Sequence, residues 1–264
     1  MTGSSLNGRD DIGSGKPLNA ARELRPPVLM NGAPLDAIKL AAAAVMVADH
    51  VNSAIITTPE LLAWRFGRLA FPLFCFVLAC HIARGMRGQA YVGRLLVLGA
   101  FTQPIFSAAF PWSPREANVL ITLAAGTAIA ISLTGRSAWL QHAVLGLGTF
   151  VIWQWPLLAR TGVDFGLAGM LFPAALTLVI CGARTHALWL LALLFALNYG
   201  ANRPGGGPAV LGAAVDALYA GAGSLAVVGC GALLRGRPRF LPSYALYAFY
   251  PGHLLALALW RAWA

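Results

Sequence analysis

Apolar residues run through this chain in long blocks separated by short polar connections, and block length sets the first expectation. A helix needs about 20 residues to cross the hydrocarbon core of a bilayer. Nine runs approach that length: 34–56, 64–83, 91–110, 117–134, 138–158, 164–182, 185–200, 208–233 and 240–262. The seventh is short, and the eighth is long and glycine-rich. No internal repeat is visible, and the run Pro204-Gly205-Gly206-Gly207 reads as a loop. The expected fold class is all-α: a polytopic membrane helix bundle of about nine transmembrane helices. Residues 34–264 form the transmembrane domain, and 1–33 a polar, disordered tail rich in Gly, Pro and Asn. That tail lacks the apolar core of a cleavable signal peptide, so the first apolar run is expected to serve as an uncleaved insertion signal.

Composition strengthens the reading. Apolar residues make up 58% of the 264 residues and charged ones 11%, against about a quarter charged in a soluble domain. The formal charge of +10 is a balance that nucleic-acid binders also carry. The arginines instead sit in short connections, where topology puts them, so nucleic-acid binding is rejected. Arg9, Lys16, Arg22 and Arg25 of the tail fall on one side with Arg84, Arg87, Arg94, Arg136, Arg184, Arg235, Arg237 and Arg239. Single arginines, Arg115, Arg160 and Arg203, mark the alternate connections. The N-terminus is therefore expected to be cytoplasmic. Trp64, Trp112, Trp139, Trp155, Trp260 and Trp263 lie near span ends, as an interfacial belt would. Cys75, Cys80, Cys181 and Cys230 fall inside apolar runs without metal-ligand spacing and read as buried small apolar residues.

Ionisable groups inside a span are expensive and point to function. The first span holds Asp36, Lys39, Asp49 and His50. At 100° per residue Lys39 lies roughly 20° from the face of His50, and Asp36 about 40° to its other side. Asp49 points about 100° away, so the partner that orients the His50 imidazole is expected from another helix. A plainer reading leaves Asp36 and Lys39 marking the interface. The second span opens with Arg65 and Arg68, three residues apart, and a short connection brings them toward His50. Two guanidiniums beside an imidazole suit an anion-recognising site with an acid–base group; headgroup anchoring is the alternative. His253, with Tyr250 three residues before it, lies in the last span. Asn118 opens the fourth span, where it could instead be a helix N-cap. Asp164 opens the sixth, Asp216 lies within the eighth, and Gln103-Pro104 interrupts the third. His81 and His142, near span ends, read as interfacial. No nucleotide-binding loop, nucleophile elbow or metalloprotease motif occurs.

Several of these stretches, taken in order, resemble the TraX family of bacterial conjugal-transfer membrane proteins. They are Leu35 to Lys39 with Val47 to His50, Arg65 to Phe74, Arg94-Leu95-Leu96, Gln103-Pro104, Asn118 to Leu123, Asp164-Phe165-Gly166, and Tyr250 to Leu254. The resemblance covers roughly 34–260 and leaves out the long tail. A looser similarity links the chain to a wider group of membrane acyltransferases. These carry a basic residue ten intervening positions before a histidine and an Arg-x-x-Arg pair, here Lys39 with His50 and Arg65 with Arg68, with Lys replacing the usual Arg. The resemblance implies an inner-membrane acetyltransferase that moves acetyl from acetyl-CoA, without a metal, to the N-terminal amine of a pilin subunit. The candidate catalytic groups are His50, Asp49 and His253. Lys39, Arg65, Arg68, Asn118, Asp164 and Tyr250 are the candidate donor- and substrate-binding groups. The chemistry fits: the amine needs a base, and the developing oxyanion needs positive charge. A non-catalytic component of the pilus machinery and a transporter remain alternatives.

Overall fold

The computed structural model describes residues 30–85, 88–111, 116–154, 165–199 and 209–263, the side chains of 152–154 and 209 aside. The expectations for Trp112, Arg115, Trp155, Asp164 and residues 1–29 fall outside them. Among the described residues the chain is helical, with no β-strand: α1 (Ala33–Ala54), α2 (Leu61–Gly67), α3 (Ala70–Ala83), α4 (Gly88–Ala109), α5 (Val119–Leu133), α6 (Ala138–Gln154), α7 (Gly166–Ile180), α8 (Ala187–Tyr199), α9 (Ala209–Ala232) and α10 (Ala245–Trp263). A 3-10 turn, Arg184–His186, leads into α8.

The packing is inverted relative to a soluble protein. Large apolar side chains face outward, Val97 at 72% exposure, Leu218 at 72% and Leu225 at 74%. The interior holds Asp36, Asn52, Asn118, Asn198 and Asp216 beside its aliphatic core. So many large apolar side chains on the exterior suit a non-aqueous surround. Three helical stretches, Leu61–Ala83, Gly88–Ala109 and Val210–Ala232, are long and apolar enough to cross a membrane. Buried threonines are satisfied within their own helices. Thr127, Thr149 and Thr177 donate to the carbonyls four residues back at 2.6, 2.8 and 2.7 Å. α7 lies at the centre, packed on α3, α5, α6 and α8, while α1 packs on α2, α3, α9 and α10.

The helices depart from the expected apolar runs at three notable places. The second run is broken: α2 ends at Gly67 and α3 starts at Ala70. The third is not interrupted, because α4 passes through Pro104. Proline removes one ladder bond there, and Gln103 beside it ties α4 to the next helix. Its amide donates to Glu116 O at 2.8 Å and accepts from Asn118 N at 2.9 Å. The last run starts helically at Ala245, not at 240. The N–H groups of Phe240 and Leu241 are engaged by the Asp36 carboxylate, each at 3.0 Å, and Pro238 and Pro242 flank them. Trp64 is buried rather than interfacial, whereas Trp139, Trp260 and Trp263 are exposed. Of the cysteines, Cys75 and Cys80 are buried, Cys181 is half-buried and Cys230 is exposed.

The start of α1, the end of α3 and the α9–α10 connection share one end of the bundle. Ala33 N bonds Arg237 O at 3.3 Å, and Arg84 Nη1 donates to Met30 O at 3.0 Å. Met30, in the segment read as tail, is buried against this end. The C-terminal part of α1, α2 and the start of α3 lie toward the other end.

Candidate functional site

The site is assembled where α1 gives way to α2. Helix α1 ends at Ala54, and Asn52 just before the end fastens the following turn. Its Nδ2 donates to Glu60 O at 3.1 Å, and Glu60 N donates to its Oδ1 at 2.8 Å. Those two bonds fix where α2 begins, and so where its arginines lie. The turn then tightens, as Arg68 N reaches both Trp64 O and Arg65 O at 3.2 Å and Leu69 N reaches Phe66 O at 3.0 Å. A Cβ on Gly67 would collide with the Asp49 carboxyl. The break between α2 and α3 therefore lets backbone and carboxylate meet where no other residue fits.

His50 and His253 meet across the bundle, with His50 Nδ1 and His253 Nε2 3.0 Å apart. Their tautomers follow from the neighbours when both rings are neutral. His253 Nδ1 lies 3.1 Å from Phe249 O. A carbonyl only accepts, so that nitrogen carries the proton. His253 Nε2 is then the acceptor, His50 Nδ1 the donor, and His50 Nε2 holds a lone pair with no hydrogen-bond partner among the described residues. Phe110 meets the His50 ring edge-on at 5.0 Å, and Phe249 and Tyr250 enclose His253 at 4.9 and 5.4 Å. The partner that orients His50 thus comes from α10.

The two arginines have separate surroundings. Arg65 Nε donates to Asp216 Oδ1 on α9 at 2.9 Å, with its guanidinium 5.2 Å from the centre of the Tyr219 ring. Arg68 Nη2 reaches Asp49 Oδ2 at a long 3.4 Å, between the Trp64 and Phe165 rings at 4.8 and 5.5 Å. Asp49 Oδ1 and Arg68 Nε are buried without a hydrogen-bond partner. This pair retains capacity to bind something else.

The remaining candidates are distributed unevenly. Lys39 shares a face with His50 but lies roughly 16 Å away along the helix, bonded to Asp36 at 3.1 Å. Asn118 caps α5, accepting from Leu120 N at 3.1 Å, and donates to Gly99 O on α4 at 2.8 Å. Asp164 lies outside the described residues, directly before Phe165. Trp64, Asn52 and Asn198 were not among the candidates. A lone asparagine in an apolar run was the available signal for Asn198. His142, read as interfacial, stacks on buried His186 with centroids 4.1 Å apart and accepts from Trp189 Nε1 at 3.0 Å.

Among the described residues, an all-helical bundle with an outward apolar surface, three stretches long and apolar enough to cross a membrane, and a half-buried pair of histidines beside an arginine–carboxylate pair defines the class, a helical membrane protein with acid–base groups between its helices. The chain belongs to the TraX family, whose model, described as TraX protein, matches residues 34–261. It is 32% identical to Protein TraX of Escherichia coli over 230 residues, covering 85% of this chain and 86% of that one. It is 26% identical over 247 residues to the probable fimbrial assembly protein FimC, serogroup H1, of Dichelobacter nodosus, covering 83% and 92%. No solved structure matches this chain.

Proposed function

We propose that this protein is an acyltransferase of the bacterial inner membrane, moving acetyl from acetyl-CoA to the N-terminal amine of a pilus subunit. The observation that carries the proposal is the His50–His253 pair at 3.0 Å, which leaves the lone pair of His50 Nε2 as the available proton acceptor inside the bundle. In the proposed step the amine nitrogen attacks the acyl carbon as the C–S bond of the thioester breaks. The amine proton passes to His50 Nε2 and then to the departing sulfur, leaving an amide and free CoA. Arg68, with its buried unpartnered Nε, supplies a charged donor for the oxyanion.

The FimC relative, a probable fimbrial assembly protein by its name, supports a role in pilus biogenesis. It also favours a second reading, in which the protein is a non-catalytic part of the assembly machinery. We take the arginine-bearing end of the bundle as cytoplasmic. His50 then lies in the outer half, where an exported pilin terminus arrives, and the donor must enter from the opposite end. The test uses the full chain in lipid nanodiscs with radiolabelled acetyl-CoA and a pilin N-terminal peptide. Label should appear on the free-amine peptide and none on an N-blocked one. No transfer to either, from protein whose loss still stops pilus assembly, would establish the second reading.

A further inference from the structure

The end of the bundle that carries the arginines holds more positive charge than its fastenings use. There the start of α1, the end of α3 and the α9–α10 connection bring together Lys39, Arg84, Arg235, Arg237 and Arg239. Asp36 is the carboxylate paired with them, and its oxygens are already engaged. Oδ1 accepts from Lys39 at 3.1 Å, and Oδ2 accepts the N–H groups of Phe240 and Leu241 at 3.0 Å. Arg239 stands 3.7 Å from it and donates Nε to Leu241 O at 2.7 Å. His81 lies among these cations, near enough for Arg84, Lys39, Arg239 and Asp36 all to act on it electrostatically. Arg84 Nη2 is 2.8 Å from His81 Nδ1. A guanidinium only donates, so Nδ1 accepts and, in the neutral ring, Nε2 carries the proton. Arg84 itself is fixed by Cys80 O at 3.2 Å and Met30 O at 3.0 Å.

We propose that Lys39, His81, Arg84 and Arg239 form a phosphate-binding site, and that its ligand is the headgroup of an anionic phospholipid. The side-chain groups left with bonding capacity are all donors: His81 Nε2–H, the terminal nitrogens of Arg84 and Arg239, and the remaining protons of Lys39. Like charges gathered in this way are relieved by an anion with several oxygens, and the guanidinium fork matches phosphate. Basic groups between helices at one membrane face are a common seat for such headgroups. Apolar side chains border the site. Leu233, Leu234, Phe240 and Tyr244 are exposed along the same α9–α10 connection, where the acyl chains of a lipid would cover them. Orientation of the chain in a membrane needs charge at this end but no fixed donors. Arg136, expected on the same side, supplies such charge with Ser132 O of its own helix as its partner. The site is independent of the acyltransferase reading. The phosphates of CoA share the headgroup's chemistry, so the two sources are told apart by experiment.

The experiment titrates the purified full chain with phosphatidylglycerol, with zwitterionic phosphatidylcholine and with CoA, and counts bound ligand by native mass spectrometry. The unaltered protein should prefer phosphatidylglycerol to phosphatidylcholine. Replacing two basic residues together, Arg84→Gln with Arg239→Gln, should weaken phosphatidylglycerol at least about tenfold, at the usual worth of a basic residue near an anionic headgroup. If that protein fails to insert, Arg239→Gln alone, at an exposed side chain, should weaken it by about fivefold. Arg136→Gln removes the same charge from another connection and should change little. CoA binding that falls in the Arg84 and Arg239 variants while phosphatidylglycerol binding holds would keep the phosphate site and make CoA its ligand. Variants that bind both ligands as the unaltered protein does would overturn the site. So would an Arg136→Gln loss as large as theirs, because the charge would then act diffusely.

Discussion

Two aspartates on α1 carry the same charge in the same helix and do different work. Asp36 is fully engaged: Lys39 Nζ at 3.1 Å, the N–H groups of Phe240 and Leu241 at 3.0 Å, and Arg239 at 3.7 Å. Asp49, thirteen residues on (49 − 36), has one long contact to Arg68 at 3.4 Å and a buried oxygen without a partner. A buried carboxylate with all its bonds made is a fastening, here joining α1 to the α9–α10 connection. One left short of partners, beside a guanidinium also left short, costs stability that packing elsewhere must offset. Such a deficit is what a ligand would remove. On the proposed function, one end of α1 serves the fold and the other the chemistry.

The largest expected effect tests the chemical end. His50→Ala should lower acetyl transfer by about 10²–10⁴-fold, the usual worth of a general base. Insertion and helix content should not change. Activity within a few-fold of the unaltered protein, from well-folded His50→Ala material, would remove the base from His50 and the distinction with it.

Next in size is the exchange of the aspartates themselves. Asp36→Ala leaves Lys39 and two backbone N–H groups without their acceptor. It should cost about 3 kcal/mol, the scale of breaking a buried ion pair. Transfer per folded molecule should stay near normal. Asp49→Asn keeps an acceptor toward Arg68. It should cost under about 1 kcal/mol and still slow transfer at least about tenfold. Detergent-induced unfolding followed by a turnover assay reads both quantities. Equal stability losses for the two variants would erase the contrast.

The parts of this arrangement that sequence made legible are the ones with a period or a length. Apolar runs located the helices, because a bilayer imposes span length directly. The pairing of His50 with a group from another helix followed from Asp49 pointing away on the helical wheel. That His253 is the group could not be read so, since 203 residues separate them and only the packing of α1 on α10 joins them. Periodicity placed Lys39 on the face of His50 but says nothing about depth, and Lys39 lies near the other end of α1, bonded to Asp36. The break after Gly67 was hidden in an unbroken apolar run. It accompanies a close approach of Asp49 from another helix to Gly67, which leaves no mark on local composition. Trp64 looked interfacial by position and is buried, with the Arg68 guanidinium over its ring at 4.8 Å.

The smallest expected effect separates two residues that the sequence presented as a pair. Arg65 and Arg68 are three residues apart and both were candidates to hold the donor. Arg65 already has a short bond to Asp216 at 2.9 Å and a tyrosine face beneath it, so its charge is spent on joining α2 to α9. Lysine can keep that ion pair while losing the planar fork and part of the stacking. Arg65→Lys should therefore lower stability by about 1 kcal/mol, the size of one cation–π contact, and change transfer by less than about threefold. Arg68 is held loosely, with Nε unpartnered and two aromatic rings fixing the plane of its guanidinium. A lysine there has no Nε to offer, and its ammonium is not held in a plane. Arg68→Lys should slow transfer at least about tenfold, or about 1.4 kcal/mol, with little change in unfolding. Lysine variants that lose activity equally would mean the donor is held by both arginines and that the Asp216 contact opens during turnover. If both retained full activity, Arg68 would be a fastening like Arg65, and the chemistry would rest on the histidine pair alone.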